Sequence, residues 1–562
     1  MPVSKTPPMG QQRACFGLVD AGTSGIYAYW GGTESGNKTP GLYLYDLRKW
    51  MEMDEGERKN ARPLQVDFSS APESLTVDTS DLFMFSGYED GLYMTDRDRL
   101  WQIDLEDGSV EPLLVWADLT LKGEYVTAVR RQAEGGFLLY IFDTLEQENY
   151  WVRLEAVPAG ELPEKTELVL GIAGRVWEGE SLLSRIDQVV LSYNRTHPYS
   201  HVTVKEYGKD SITNFQLELL SGEGPDILME PESFFDMETL MAKGAVEDLA
   251  PYLAAGEEIS DEDILPGILR LITKDDRIPR IPLSFSAGIT ILPKDRPKEV
   301  MTPREMAEFM AGGDGTYIDC LVYPRYFLLQ ILTGAEMGRY VDAGNKSCSF
   351  DSEEFVGLLE QLAKLGDMQM VMKQTDRFEP IRSGQLMAVV DELDCMGDYL
   401  CIRSSFSDAW EIAGFPNSDG ELRYPARLCD WLGMNSASRH KEEAWDFIQF
   451  CIAYTSRSDN ASHRFAVTKN KFYEQTQYKD TDNYLVMGNY FYDSSNGDVI
   501  FEPTNQEETD FLREISEHLY LYENQNLLQI ISEEADAFFA GDISAEEAAE
   551  RIQNRASLVL GE

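Results

Sequence analysis

Residues Val189 to Leu253 read VVLSYNRTHPYSHVTVKEYGKDSITNFQLELLSGEGPDILMEPESFFDMETLMAKGAVEDLAPYL. From Ser181 to Asn194 the apolar residues Leu182, Leu183, Ile186, Val189, Val190 and Tyr193 recur at helical spacing. His201-Val-Thr-Val-Lys-Glu reads as a short strand, and Ser211–Ser221 as an amphipathic helix stopped by Gly222. Pro225-Asp226 turns into the apolar strand Ile-Leu-Met, and Phe234–Lys243 forms a further helix with Gly244 at its C-cap. Just upstream, Glu167-Leu-Val-Leu-Gly-Ile-Ala173 is a continuous apolar run, as expected of a strand buried on both faces. Strand, helix, strand in this order predicts βαβ units, a parallel sheet and the α/β class.

The same alternation continues downstream. Ile281–Leu292 is a long apolar strand suited to cross between two halves of a domain. Thr302-Pro303-Arg-Glu305 predicts a helix start, with Thr302 as N-cap and Pro303 at the first helical position. Met387–Asp391 reads as another buried strand and Glu442–Ile452 as a helix. Asn524–Leu558 is strongly helical, with a break at Gly541-Asp542.

Residues 1–160 differ. Aromatic-rich runs such as GIYAYW, GLYLYDL, DLFMFSG and RLWQIDLEDG are separated by Gly, Asp, Ser and Asn turns, which predicts an all-β module. A unit recurs at Gly41-Leu-Tyr-Leu-Tyr-Asp46-Leu and Arg99-Leu-Trp-Gln-Ile-Asp104-Leu, each a strand closed by an Asp-led turn. The pattern admits two readings: a partial propeller, too short to close a ring, or an ordinary antiparallel sheet module. The polar stretch Pro158–Lys165 links this module to the α/β region.

Composition excludes several classes. The chain has 562 residues and a net charge of -49, from 98 acidic and 49 basic residues. Self-repulsion of that size opposes nucleic acid or an anionic membrane surface as partner and suits a soluble surface protein. No apolar run is long enough for a membrane helix, and the first residues lack the apolar core of a signal peptide. The chain is therefore expected either to be cytoplasmic or to have lost its export signal. The seven cysteines show no C-x-x-C spacing and sit among apolar residues, so they read as small buried hydrophobes, with a Cys395–Cys401 disulfide left open. Five histidines without H-E-x-x-H give a catalytic metal no support, and no cofactor is expected.

Several of these pieces coincide in order. They are Ser192-Tyr-Asn194 before His197-Pro198, Gly222-Glu-Gly224-Pro225-Asp226-Ile227-Leu228, Lys243-Gly-Ala-Val-Glu247-Asp248-Leu249 and Ile281-Pro282. Ser436-Ala-Ser-Arg-His-Lys441-Glu-Glu-Ala444-Trp445-Asp-Phe447 comes next, then Ala537-Phe-Phe539-Ala-Gly541-Asp542 with Ala545 to Ala549. From about residue 167 to the end, the chain thereby resembles the family 1 extracellular solute-binding proteins of bacterial ABC transporters. The resemblance implies a two-lobe periplasmic-binding-protein-like fold of type II over residues 161–562. One lobe would cover about 167–285 plus a later segment, and the other about 290–430 plus the C-terminal helices. It does not cover residues 1–160, which look like the β-rich extension of some solute-binding lipoproteins. It further implies capture of an extracellular small solute, delivery to an ABC permease, no enzymatic step, a monomer and anchoring at the cell surface. A ligand-binding sensor or adhesion module and a glycoside hydrolase are the alternatives; no motif fixes the carboxylate pair a hydrolase needs.

Ligands of open α/β sheets bind beyond the carboxyl ends of the strands, so the residues there are the candidates. Trp177 and Glu178, with Arg175, follow the first strand; Glu230 and Glu232, with Ser233, follow the Pro-Asp strand. Asp226 itself reads as scaffold that caps backbone N–H groups. Phe285 and Ser286 lie on the crossing strand, Tyr323 and Arg325 in the second half, and Asp391, Glu392 and Asp394 after the Met387 strand. Asp430 and Trp431 stand where many relatives carry Gly-Gly-Trp, so that Cys429-Asp430 replaces two glycines and adds a carboxylate. Carboxylates beside aromatics suit a sugar, whose rings stack and whose hydroxyls donate; they also suit a cation. The family favours a mono- or oligosaccharide.

Overall fold

The segments read as strands and helices form them in a computed structural model. It describes residues 14–20, 25–33, 40–68, 83–86, 91–96, 99–132, 135–143, 148–158, 164–173, 186–208, 211–230, 237–256, 258–294, 302–311, 318–320, 325–342, 344–365, 388–406, 409–416, 422–457, 464–479, 501–521 and 525–561. The chain divides into two units, Met1–Glu167 with Gln188–His201, and Leu168–Asp187 with Val202–Glu562.

The first unit is built from antiparallel meanders. Strands β1 (Ala14–Asp20), β2 (Ile26–Thr33), β3 (Pro40–Asp46) and β4 (Leu64–Gln65) pair in sequence order. So do β5 (Phe83–Ser86), β6 (Leu92–Thr95), β7 (Arg99–Ile103) and β8 (Val110–Val115). Strands β9 (Val126–Arg131), β10 (Phe137–Asp143) and β11 (Glu148–Leu154) make a third sheet with β10 in the middle. The recurring unit of the sequence is the third strand of the first two meanders, β3 and β7. Its closing aspartates hold the turns: Asp46 accepts from the backbone N–H groups of Arg48 and Lys49, and Asp104 from that of Glu106. Leu42, Leu44, Met94 and Trp101 form one core between the first two sheets, and Tyr93, Trp116, Val126 and Leu139 another between the second and third. The described residues thus form separate sheets. They show antiparallel sheets, and among them no propeller is shown. The helix expected at Ser181–Asn194 runs from Ile186 to Thr196; its Gln188 donates to the Tyr125 hydroxyl and its Arg195 to the Tyr150 hydroxyl at 2.8 Å.

The second unit carries one mixed sheet. Its strands in chain order are β12 (Thr166–Ala173), β13 (Ser200–Tyr207), β14 (Ile227–Glu230), β15 (Arg280–Pro293) and β16 (Ile318–Cys320). After the small pair β17 (Val341–Asp342) and β18 (Ser347–Cys348) come β19 (Ala388–Leu393), β20 (Trp410–Ala413), β21 (Phe415–Pro416) and β22 (Leu422–Met434). Short strands β23 (Phe465–Ala466) and β24 (Leu519–Tyr520) complete it. The order is β13-β12-β14-β22-β15-β19-β16. Strands β12 and β14 are parallel at one end of the sheet, β16 and β19 at the other. Between them the two long strands β15 and β22 run antiparallel, in register from Arg280↔Gly433 to Ala287↔Ala426. Two parallel α/β halves therefore share one pair of crossing strands, the α/β plan that the sequence implies.

The Gly-Pro-Asp turn shows why its residues are needed. Gly222 caps the helix Ile212–Ser221 at φ +76°, a conformation that a side chain disfavours. Gly171 on β12 leaves room for Pro225, whose Cγ would lie 2.4 Å from a Cβ there. Asp226 accepts from the Val169 N–H at 3.0 Å and from the Ser438 hydroxyl at 2.7 Å. It is the scaffold residue the sequence suggests, joining β12 to the segment after β22.

Helices Pro303–Ala311, Arg325–Ala335, Glu353–Ala363, Gln525–Phe539 and Ala545–Gly561 contribute to one core in the half that holds β19. Thr302 and Glu305 exchange the two bonds of a capping box at its first helix. Cys395 and Cys401 are both free thiols, as are Cys348, Cys429 and Cys451. Among the described residues no helix is long and apolar enough to cross a membrane.

Candidate functional site

Opposed residues of an antiparallel pair point to the same face of the sheet, so register sorts the crossing strands into two faces. On one face Pro282 opposes Trp431, Ser284 opposes Cys429 and Ser286 opposes Arg427. Glu230 of β14 also opposes Trp431, and Glu392 of β19 opposes Gly288. The other face of β15 carries Ile281, Leu283, Phe285, Ala287 and Ile289, all buried. One face of the junction is thus apolar core, and the other is a continuous polar stripe.

The stripe begins with a buried ion pair. Glu230 is 2% exposed and its carboxylate is paired with the Arg280 guanidinium. That guanidinium also lies 4.1 Å from the centre of the Trp431 ring. Trp431 is 5% exposed, and its indole N–H is buried without a hydrogen-bond partner among the described residues. An unmet buried donor is costly, so it is a natural point of contact for a ligand acceptor.

Asp430 comes next. It is 1% exposed, accepts from the Ser284 hydroxyl at 3.3 Å and has φ +56°. A non-glycine residue in the left-handed region in mid-strand is uncommon. Here the aspartate holds that backbone turn and adds a buried carboxylate.

At its far end the stripe holds a second charge cluster. Arg427 pairs with Glu392 at 2.9 Å and with Asp394 at 3.2 Å, and Arg464 lies 3.6 Å from Asp394. Ser286 donates to Glu392. Burial raises the Glu392 carboxyl above its ordinary pKa, opposed by Arg427. Burial also drives Asp391 well above the ordinary range; the bond from the Glu392 N–H opposes this, and the nearby charges of Asp398, Glu392 and Asp394 add to it. Burial pushes the Cys429 thiol up to about 12, which leaves it unreactive.

The structure therefore gathers Glu230, Asp430, Trp431 and Glu392 along one face. Phe285 stands on the opposite face and packs against Phe465 and Phe472, with ring centres 5.7 and 5.5 Å away. Asp391 opposes Ile289 in the sheet, on the apolar side. Arg325 starts its helix over the ring of Phe539, 5.9 Å from the centre, apart from the stripe. Trp177, Glu178, Glu232 and Tyr323 lie outside the described residues. Sequence reasoning missed Arg280, Ser284, Arg427 and Arg464. Arg280 had a signal, a lone cation opening an otherwise apolar strand. The stripe sets three guanidiniums, of Arg280, Arg427 and Arg464, against four carboxylates, of Glu230, Glu392, Asp394 and Asp430. It is nearly balanced in a chain of net charge -49. Among the described residues no group of three or more His, Cys, Asp or Glu is placed to hold a metal ion.

No protein-family model and no curated protein matches the sequence. Solved structures do. The ABC substrate-binding protein Lmo0181 of Listeria monocytogenes, in complex with cycloalternan, is 16% identical over 71% of this chain and 100% of its own, with TM-score 0.45. The sugar-binding protein MalE of Xanthomonas citri is 14% identical over 70% and 98%, with TM-score 0.48. The family 1 extracellular solute-binding protein of Alicyclobacillus acidocaldarius is 13% identical over 71% and 99%, with TM-score 0.46. Each of these matches spans about 70% of this chain and nearly the whole of the solved protein.

Proposed function

We propose that this chain captures a neutral, polyhydroxylated solute, a mono- or oligosaccharide, outside the cell and delivers it to an ABC permease. The observation that carries this reading is the polar stripe on the crossing strands. Its three guanidiniums offset most of its four carboxylates, so it offers a cation little net attraction. It offers hydroxyls what they need: carboxylate and serine acceptors, guanidinium donors and the buried N–H of Trp431. Hinge closure of the two halves over the shared strands would enclose the solute. In this reading Trp177, Glu178, Glu232 and Tyr323 supply further contacts, and the protein acts as a monomer without cofactor or catalytic step.

The test is a thermal-shift screen of sugars, amino acids, polyamines and metal ions, because a ligand that binds only the folded chain raises its melting temperature. A neutral sugar should raise it, increasingly so as its concentration exceeds Kd, and the shift should shrink in Trp431→Ala. Stabilisation by polyamines or metal ions with none by any sugar would overturn the reading.

A further inference from the structure

The third sheet of the N-terminal unit presents an exposed aromatic face. Tyr140 of β10 opposes Trp151 of β11 and Ala128 of β9, Phe142 opposes Asn149, and Leu138 opposes Arg153 and Arg130. By register these side chains share one face, and the other face is the buried core around Val129, Leu139 and Ile141. Trp151 is 65% exposed, and its ring lies 4.8 Å from that of Tyr140 at an interplanar angle of 45°. Phe142 is also exposed. The Tyr140 hydroxyl donates to the Asn149 side chain at 3.0 Å, and Arg153 pairs with Glu155 at 2.8 Å. An exposed tryptophan adjoining a tyrosine is a large apolar surface that water solvates poorly.

We propose that this face is a second carbohydrate site, distinct from the crossing-strand stripe, that holds a single soluble chain of a neutral polysaccharide. The occupant follows from complementarity. Aromatic faces carry partial negative charge, which the weakly positive C–H face of a sugar ring matches. Arg130, Arg153 and Asn149 around the rings offer donors and an acceptor to hydroxyls. The Arg153–Glu155 pair is a surface pair worth little, so it exchanges readily for a ligand bond. A net charge of -49 repels a polyanion, which favours an uncharged polymer. The 45° tilt prevents both rings from lying flat on one crystalline surface and suits a twisted single chain. A second copy of this protein fits poorly, because the contact would join two chains of -49.

The experiment is affinity electrophoresis of the full chain through gels containing neutral soluble polysaccharides, with polygalacturonate and insoluble cellulose as contrast arms. At least one neutral polymer should retard the protein. Trp151→Ala should weaken that retention about tenfold or more, as loss of an aromatic anchor does, and Trp151→Tyr should largely restore it. Because Trp151 is exposed, the melting temperature of Trp151→Ala should match the wild type, and so should any sugar-induced melting shift from the stripe. That second readout separates failure of this site from failure of the proposed solute capture. Three results would overturn the proposal: no retention by any neutral polymer, retention unchanged in Trp151→Ala, or a Trp151-dependent dimer in sedimentation without polymer binding.

Discussion

The guanidinium of Arg280 lies 4.1 Å from the centre of the Trp431 ring while it is ion-paired with Glu230. One face of the indole is therefore already covered by protein, which moves the expected role of Trp431 from stacking platform toward N–H donor. The pair itself is buried, Glu230 to 2% exposure. Removing one member of a buried pair strands the other charge, at a cost of about 3–5 kcal/mol, whereas replacing both by apolar residues is often neutral. Arg280→Met should lower unfolding stability by about 3–5 kcal/mol in urea, and Arg280→Met with Glu230→Leu should recover much of it. Equal losses in the single and double variants would show that the ion pair is not what makes the single costly.

Asp430 poses a second test, because its backbone and side chain pull in opposite directions. The left-handed conformation costs a non-glycine residue roughly 1–2 kcal/mol, and the bond from Ser284 returns about 0.5–1.5. Asp430→Gly loses the bond but releases the strain, so its stability should stay within about 1 kcal/mol of wild type. Asp430→Ala keeps the strain and loses the bond, and should melt below Asp430→Gly. The reverse order of melting temperatures would contradict the strain argument at φ +56°.

Acid–base linkage makes a third prediction at Asp391. Its carboxyl is raised well above the ordinary value, chiefly by burial. Between the ordinary carboxylate pKa and that raised value, the folded chain keeps a proton that the unfolded chain has released. Stability must then fall as pH rises through that window. Asp391→Asn cannot ionise, and its amide oxygen can still accept from the Glu392 N–H as Asp391 does at 2.8 Å. Its stability relative to wild type should therefore grow as pH rises above the ordinary carboxylate range in urea titrations. Parallel pH profiles for the two proteins would refute the assignment.

These residues show how far the sequence could be read. The strand Arg280–Pro293 was legible as Ile281–Leu292 because one apolar run fits only a buried element. Its partner Leu422–Met434 was not, since Arg423, Pro425, Arg427 and Asp430 interrupt the pattern, and only Asp430 and Trp431 stood out, through the family resemblance. The polar stripe exists only once β14, β15, β19 and β22 are laid in register, which joins Glu230 to Arg280 and Arg427 to Glu392. Such pairings depend on sheet order, which local patterning does not encode. The same logic separates Phe285 from Ser286: adjacent in sequence, they face opposite sides of one strand.

Gly171 tests the Gly-Pro-Asp turn from the side of its neighbour. A Cβ at Gly171 would lie 2.4 Å from Pro225 Cγ and 2.8 Å from Phe215 Cζ. Neither can swing away, because Pro225 is a ring in a tight turn and Phe215 is fully buried. Gly171→Ala should cost about 1–3 kcal/mol, the usual range for overpacking, read as a lower urea midpoint. No shift in midpoint would mean that the turn is looser than its role in joining β12 to β14 requires.

Trp431 decides between two ways of holding a sugar. If the indole acts by its face, Trp431→Phe keeps an aromatic ring under Arg280 and should bind nearly as well as wild type. If it acts by its buried, unmatched N–H, Phe removes the donor, and affinity should fall by the worth of one hydrogen bond, about 0.5–1.5 kcal/mol or roughly 2- to 12-fold. Trp431→Ala should fall further in either case, since it also releases Arg280 and empties the space beside Glu230. Calorimetry with the sugar identified by thermal shift distinguishes these outcomes. The covered ring face and the unpartnered N–H favour the second, and equal affinity in wild type and Trp431→Phe would exclude it.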